Sequence, residues 1–260
     1  MSSNIKILKP EDIKQNLISF FKNNSLVPIV GSGFTCGLNA FNGIVPNGYE
    51  YKQHMINELM TEDFSEQEKE EITVANFSTL CDFYEDDENV PPEVRRNYLK
   101  SNFYKVTMPQ EDIRSSFFNI KWPYIYTLNI DDAIENSSSF KKVILPNQEF
   151  NDEIFLDEKC VIKLHGDIGD IVTYKKSGKI FTSKEYALSL DKNAPLLNKL
   201  RNDYKNQNIL FIGCSLDDEI DLKTLSAWPF DHKEKDTLSC RIAFIKGYPS
   251  KLQKSKYKIY

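Results

Sequence analysis

The chain has no long hydrophobic run, and this absence argues against a membrane protein. No segment of its 260 residues approaches the ~18 consecutive apolar residues that a membrane-spanning helix needs. The first ten residues also lack the apolar core of a secretory signal peptide. We therefore expect a soluble, cytoplasmic protein that makes no membrane contact.

Cysteine is scarce as well. The five cysteines are odd in number, and the closest pair is 26 residues apart. Without a Cys-x-x-Cys pair, neither a zinc ribbon nor a redox dithiol is supported. We predict no metal site, and we expect most of the cysteines to be small core residues.

Positive charge does not predominate. Lysine and arginine total 33 against 38 aspartate and glutamate residues, which gives a net charge of −5. This balance argues against a general nucleic-acid-binding protein. The exception is the stretch 246–260, which has five lysines and no acidic residue. It fits either a solvated terminus or a contact for a polyanion or partner.

Short apolar runs alternate with helical periodicities along the chain. This alternation predicts an α/β protein with a doubly wound, Rossmann-like and mostly parallel sheet, folded as one domain over residues 1–260. The expected strands are 26–30, 124–128, 142–145, 160–164, 209–212 and 241–246.

Helical spacing dominates the region between the first two strands. We expect residues 50–120 to form a helical insertion over the site, with Pro91-Pro92 opening one of its helices. Further helices are expected over 11–23 and 194–207. A core-facing stripe at helical spacing comprises Val74, Phe77, Cys81 and Tyr84.

The first strand ends in Gly31-Ser32-Gly33, followed by Phe34. Small residues let a backbone approach a ligand closely, and the amides of such a turn could face a diphosphate. The phosphate-loop and three-glycine dinucleotide motifs are both absent. A tight turn without a ligand is the alternative. The next residues, 35–50, suit either a mobile cover over the site or a plain connection.

Polar residues follow three further strands, whose ends meet in one crevice of an open α/β sheet. Asn129 and Asp131 come just after Thr127. The amide can hold a ribose hydroxyl or an attacking water, and the carboxylate can accept from an amide group. Helix capping is the alternative for both. Gly213 and Ser215 could touch phosphate or ribose, or could form a capped turn.

His165 is one of three histidines and directly follows a predicted strand. Its ordinary pKa near neutrality makes it the candidate general base, with a structural histidine as the alternative. His54, in a helical stretch, and His232, in a charged turn, are expected to be surface or packing residues.

These four motifs, each after a predicted strand, occur in an order that resembles the sirtuin-like NAD-consuming fold. Sirtuins carry Gly-Ala-Gly, Thr-Gln-Asn-Ile-Asp, His-Gly and Gly-Thr-Ser. The counterparts here are Gly31-Ser32-Gly33, Thr127-Leu128-Asn129-Ile130-Asp131, His165-Gly166 and Gly213-Cys214-Ser215.

The sequence differs from the sirtuin pattern in three respects. Residues 167–212 contain no cysteine, so the four-cysteine zinc module of sirtuins is missing. Leu128 replaces the usual glutamine, and the Asp-Phe-Arg cofactor loop is not evident in residues 37–52. In these respects the chain is similar to the zinc-free sirtuin-like domains of bacterial antiphage systems, which hydrolyse NAD.

The resemblance implies an NAD hydrolase that cleaves the nicotinamide–ribose bond and depletes NAD in antiviral defence. Asn129 would place the water or ribose, His165 would take a proton, and Asp131 would orient the carboxamide. The rest of NAD would be held by Gly31, Ser32, Gly33, Phe34, Thr127, Gly213 and Ser215.

Two other functions stay open at this point. The chain could be a non-catalytic NAD or ADP-ribose sensor, or a sirtuin-like protein deacylase or ADP-ribosyltransferase. Because an unregulated NAD hydrolase would kill its host, we expect a homo-oligomer or a separate regulatory sensor protein to restrain the activity.

Overall fold

A computed structural model describes residues 9–60, 64–146, 159–174, 179–214 and 241–243. Within them, six strands form one sheet in the spatial order β3-β4-β2-β1-β5-β6, and every neighbouring pair is parallel. The strands are β1 (Leu26–Val30), β2 (Tyr124–Thr127), β3 (Lys142–Ile144), β4 (Cys160–Lys163), β5 (Asn208–Ile212) and β6 (Arg241–Ala243). The predicted α/β fold with a Rossmann-like parallel sheet is confirmed.

The order of the strands reverses at β1. Strands β2, β4 and β3 lie on one side of β1, whereas β5 and β6 lie on the other. Val30, the last residue of β1, pairs with Thr127 on one side and with Ile212 on the other. The residues that follow these strands therefore meet at one edge of the sheet, where doubly wound folds bind their ligands.

Helices lie on both faces of the sheet. They are α1 (Pro10–Lys22), α2 (Ser32–Thr35), α3 (Gly48–Leu59), α4 (Glu66–Val74), α5 (Phe77–Asp86), α6 (Pro92–Phe103), α7 (Ala133–Ser137), α8 (Ile168–Val172), α9 (Ser183–Lys192) and α10 (Ala194–Asn206), with a 3₁₀ helix over Ile113–Asn119. Side chains along β1 alternate between the two faces of the sheet and pack into two hydrophobic cores. Leu26 and Val30 belong to one core. Val27 and Ile29 belong to the other, together with Leu200 of α10.

Helices α3 to α6 form the expected helical segment between β1 and β2, and α6 begins at the predicted prolines. The predicted stripe is wrong at Val74, which ends α4 and is 72% exposed. Asn76 caps the next helix by accepting a hydrogen bond from the Thr79 N–H. The helical register is therefore broken between Val74 and the buried Cys81.

The loop between α2 and α3 is tied down by backbone hydrogen bonds. The Gly37 N–H donates to the Val45 carbonyl, and the Phe41 N–H donates to the Tyr104 carbonyl beyond α6. Helix α3 already begins at Gly48, inside the range predicted as a connection. These bonds favour the plain connection over the mobile cover.

Some sequence predictions fall outside the described residues. They concern Ser215, His232, Cys240, the end of the last predicted strand and the basic stretch 246–260. Among the helices that the structure does describe, none combines the length and apolar character needed to cross a membrane.

Candidate functional site

A cavity of about 650 Å³ lies at the carboxyl edge of the sheet. Its volume is within the ~300–1,000 Å³ typical of small-molecule sites. Residues that follow β1, β2, β4 and β5 line it together, namely Gly33, Asn129, His165 and Gly213. The structure thus brings residues from all four sequence motifs into a single cavity.

The helical segment, α9 and Phe181 just before α9 contribute an aromatic wall to this cavity. Its aromatic residues are Tyr49, Tyr51, Phe77, Phe103, Phe181 and Tyr186. Lys52 adds a positive charge, with its Nζ 2.5 Å from the Ala75 carbonyl. Flat apolar faces suit the rings of a nucleotide, and an ammonium suits its phosphates.

The turns that follow β1 and β5 cross in direct contact, which explains their glycines. A Cβ atom at Gly31 would lie 2.7 Å from the Gly213 carbonyl oxygen. A Cβ atom at Gly213 would lie 2.3 Å from the Phe34 nitrogen, and Gly213 has a φ of +67° that favours glycine. The crossing therefore requires bare backbone on both turns.

The same crossing corrects part of the predicted diphosphate role. Three amides already donate to protein carbonyls: Gly31 N–H to Ile212, Gly33 N–H to Gly213, and Phe34 N–H to Gly31. They are therefore occupied, rather than directed at a ligand. What lines the cavity from this turn is Ser32 and the side-chain-free surface of Gly33.

Three residues predicted to bind the ligand, Gly31, Phe34 and Thr127, lie behind the cavity wall. Phe34 is 5% exposed, and its ring centroid lies 5.1 Å from that of Phe117. Thr127 is 1% exposed, and its Oγ1 accepts a hydrogen bond from the Asn129 N–H at 3.0 Å. None of the three is among the residues that line the cavity, because hydrogen bonding and core packing bury them, and their contact with a ligand stays a prediction.

Asn129 is held in one orientation by its amide hydrogens. Its Nδ2 donates to the Gly31 carbonyl at 3.1 Å and to Thr35 Oγ1 at 2.9 Å. Because a carbonyl can only accept, these bonds direct the Asn129 NH₂ group at the Gly31 carbonyl and Thr35, and fix the orientation of the amide. The side-chain oxygen remains to accept a hydrogen bond from a ligand hydroxyl or a water in the cavity.

Asp131 anchors the same network. Thr35 Oγ1 donates to its Oδ2 at 2.8 Å, and the Ala133 N–H donates to its Oδ1 at 3.1 Å. Burial raises the pKa of this carboxyl, while nearby Lys163 and the Thr35 bond oppose the rise. Asp131 lines the cavity with only 3% of its surface exposed. Asp131 thus accepts from the first N–H of α7, but the N-cap residue is Asp132, so the capping alternative holds for neither Asn129 nor Asp131.

His165 lies two residues after the end of β4 and is 5% exposed. Its carbonyl accepts a hydrogen bond from the Ile180 N–H at 2.9 Å. Its Nε2 lies 3.1 Å from the hydroxyl of Tyr186, which also lines the cavity. By contrast, His54 stacks on the Tyr98 ring at 3.5 Å, as expected of a packing residue.

Lys163, two residues before His165, is a fully buried cation beneath the site. Its Nζ donates to the Asp131 carbonyl at 2.7 Å, pairs with Glu135 at 2.6 Å and contacts Asp167. Burial opposes its charge, but the two carboxylates outweigh this effect and raise its pKa. The ammonium thereby ties the loop that follows β2 to the end of β4, two residues before His165.

Sequence reasoning missed three residues of this site. Thr35 and Tyr186 gave no signal, because their partners are distant in the chain. Lys163 gave one: a lysine within an apolar strand needs buried acceptors or counter-charges. In the part of the chain that the structure describes, no group of three or more His, Cys, Asp or Glu residues is placed to hold a metal ion.

A parallel sheet with a glycine turn, an amide and an imidazole at its switch point is typical of Rossmann-like folds, whose ligands bind at that point. Residues 123–257 match the SIR2-like domain, which is about half of the chain. The chain therefore belongs to the SIR2-like domain family. No curated protein matches the chain.

The matched segment contains Asn129, His165 and Gly213, whereas the Gly31 turn and the helical segment precede it. SIR2-like domains typically act enzymatically on NAD. The aromatic wall, the crossing of the two glycine turns and the polar side chains of Asn129, Asp131 and His165 are chemically suited to such a ligand.

Proposed function

We propose that this protein is an NAD hydrolase that cleaves the bond between nicotinamide and ribose. The products are nicotinamide and ADP-ribose. The observation that carries the proposal is the placement of Asn129 and His165 on one cavity, at the switch point of a SIR2-like fold.

In the proposed reaction, water attacks the ribose carbon as nicotinamide leaves as a neutral molecule. The Asn129 oxygen accepts a hydrogen bond from the water or from a ribose hydroxyl and so fixes its position. His165 takes up the proton that the water loses. Donors and acceptors placed in advance in this way usually supply the largest part of a catalytic effect.

The remaining wall residues would bind the parts of NAD that do not react. Asp131 would accept from the nicotinamide carboxamide, since each of its oxygens retains a lone pair beyond the bonds to Thr35 and Ala133. Ser32 and Lys52 would face the phosphates. The aromatic side chains would exclude water from the reacting bond.

The test is to incubate the purified protein with NAD and to measure nicotinamide and ADP-ribose by chromatography. We expect both products in equal amounts. Tight binding of NAD without products would indicate a sensor. Nicotinamide release that requires an acyl-lysine peptide would indicate a deacylase, and label transferred to protein would indicate a transferase. Each of these three outcomes contradicts the proposal.

We further propose that depletion of NAD is the biological effect, as an effector of antiviral defence. An enzyme of this kind must be restrained, by self-association or by a separate regulatory protein. A concentration series in the same assay tests self-association, because specific activity would then rise or fall with protein concentration. Constant specific activity would leave the separate regulator as the proposal.

A further inference from the structure

Tyr186 is a polar aromatic residue in contact with His165. It belongs to α9, lines the cavity and is 9% exposed. Its hydroxyl lies 3.1 Å from His165 Nε2, and the two rings meet edge to face with centroids 5.5 Å apart. The tyrosine is thus placed where it can contact both the imidazole and a ligand.

Hydrogen bonds donated by backbone N–H groups fix this placement. The Ile180 N–H donates to the carbonyl of His165 itself at 2.9 Å. The Glu185 carboxylate accepts from the N–H groups of Phe181 and Thr182, at 2.8 and 2.9 Å. The segment just before α9 is therefore bonded to the His165 backbone, and Tyr186 within α9 contacts the His165 ring.

The direction of the hydrogen bond depends on the tautomer of His165, because a tyrosine hydroxyl can donate or accept. A phenol has an ordinary pKa of about 10 and carries its proton at neutral pH. In a neutral imidazole one nitrogen accepts, and Nε2 is the nitrogen that meets the hydroxyl. In the tautomer that leaves Nε2 unprotonated, the Tyr186 hydroxyl donates to Nε2, and this is the tautomer that the relay requires.

We propose that Tyr186 relays the proton from the attacking water to His165, an inference that rests on the proposed function. As the water oxygen bonds to the ribose carbon and nicotinamide departs, the water's O–H bond breaks. Its proton passes to the Tyr186 oxygen, and the tyrosine's own proton passes to His165 Nε2. Tyr186 ends neutral and His165 ends as an imidazolium ion.

The chain offers a matched control for this pair. Tyr84 and His54 form a second tyrosine–histidine contact, with the hydroxyl 3.4 Å from Nε2. Neither residue lines the cavity. Tyr84→Phe therefore removes the same hydroxyl from the same kind of contact, outside the proposed site.

Steady-state kinetics with NAD compare wild type, Tyr186→Phe and Tyr84→Phe. We expect Tyr186→Phe to lower kcat by ~10²–10⁴-fold, the usual contribution of proton transfer, with little change in KM. Tyr84→Phe should behave as wild type. The relay is refuted by a Tyr186→Phe enzyme with wild-type kcat, whether or not its KM has changed.

A second variant separates a relay from mere positioning of the ring. Replacement of Tyr186 by a fluorinated tyrosine keeps the hydroxyl but makes it more acidic. A relay predicts that the pH profile of kcat moves to lower pH, because the transferred proton is the phenol's own. An unmoved profile with preserved activity contradicts the relay.

A measurement without NAD keeps this inference distinguishable from the proposed function. Nitrogen-15 NMR of the His165 imidazole should show the Nε2 signal shifted in Tyr186→Phe but unchanged in Tyr84→Phe. An unchanged signal in both variants overturns the Tyr186–His165 bond, and with it the relay. A wild-type protein that fails to cleave NAD overturns the proposed function instead.

Discussion

Thr35 connects the two polar residues that follow β2. Its hydroxyl accepts from the Asn129 amide and donates to the Asp131 carboxylate, and it is fully buried. A single hydroxyl group thus sets the orientation of the amide and satisfies a buried charge. Removing it would leave both partners short of a hydrogen bond at a fully buried position.

Thr35→Val tests this bridge, since valine keeps the shape of threonine and lacks only the hydroxyl. We expect Thr35→Val to lower kcat for NAD cleavage by roughly tenfold or more, as for the loss of a 1.4 kcal/mol positioning interaction. Thr35→Ser should restore most of the activity, because serine keeps the hydroxyl. Equal activities of the valine and serine variants would contradict the bridging role.

The sequence showed the candidate site only where a residue follows a strand. Asn129 and His165 were predictable because parallel strands deliver their following residues to one edge. Tyr186 lies on a helix 21 residues beyond His165, and Thr35 lies 94 residues before Asn129. Their contacts depend on tertiary packing, which no local pattern reports.

Among structural elements, the crossing of the turns after β1 and β5 shapes the cavity floor. Gly213 lies against Gly33 and Phe34, so the ends of two non-consecutive strands are held at contact distance. The sequence predicted both turns but assigned their amides to a ligand. It could not show that the amides of one turn bond to the strand and turn beside it.

Gly213→Ala should destabilise the protein and abolish NAD cleavage. The left-handed φ alone costs ~1–2 kcal/mol, and the clash of Cβ with the Phe34 nitrogen adds to this cost. Gly37→Ala is the matched control, since Gly37 has a φ of +82° and open space around its Cα. Urea unfolding should show a clearly larger loss for Gly213→Ala. Equal losses in the two variants would mean that the crossing imposes no steric demand.

Helix boundaries show a second limit of sequence patterns at this scale. Val74 has the spacing of a core residue, yet the chain leaves the helix there, and Asn76 starts a new one. An asparagine at this position was a visible capping signal. Periodicity alone continued the stripe across the break.

At the scale of the whole molecule, several buried groups hold their protons more tightly than usual. Burial raises the pKa of Cys81 to about 12 and that of Tyr84 to about 12. Burial also raises the pKa of Tyr51 well above its ordinary value. Lys163 has a raised pKa as well, because Glu135 and Asp167 outweigh its desolvation. The folded protein thus binds more protons than the unfolded chain at alkaline pH.

We therefore expect the free energy of unfolding to fall as pH rises from about 9 toward about 12. Each group loses its proton at a lower pH in the unfolded chain than in the folded protein. Its contribution to the free energy of unfolding is therefore complete below the unfolded pKa and is lost as the pH rises to the folded pKa. Urea titrations at a series of alkaline pH values measure the fall. Tyr84→Phe should show a shallower fall, as one raised phenol is missing. A constant or rising free energy of unfolding over this range would contradict the burial of these groups.

The central claim is that Asn129 and His165 act together on NAD in one cavity. The most direct measurement is the rate of nicotinamide release by Asn129→Ala, His165→Ala and the double variant, each shown to be folded. We predict a loss of at least ~100-fold in each single variant and little further loss in the double variant, since groups that act as a unit are not additive. Wild-type rates in both single variants would contradict the account.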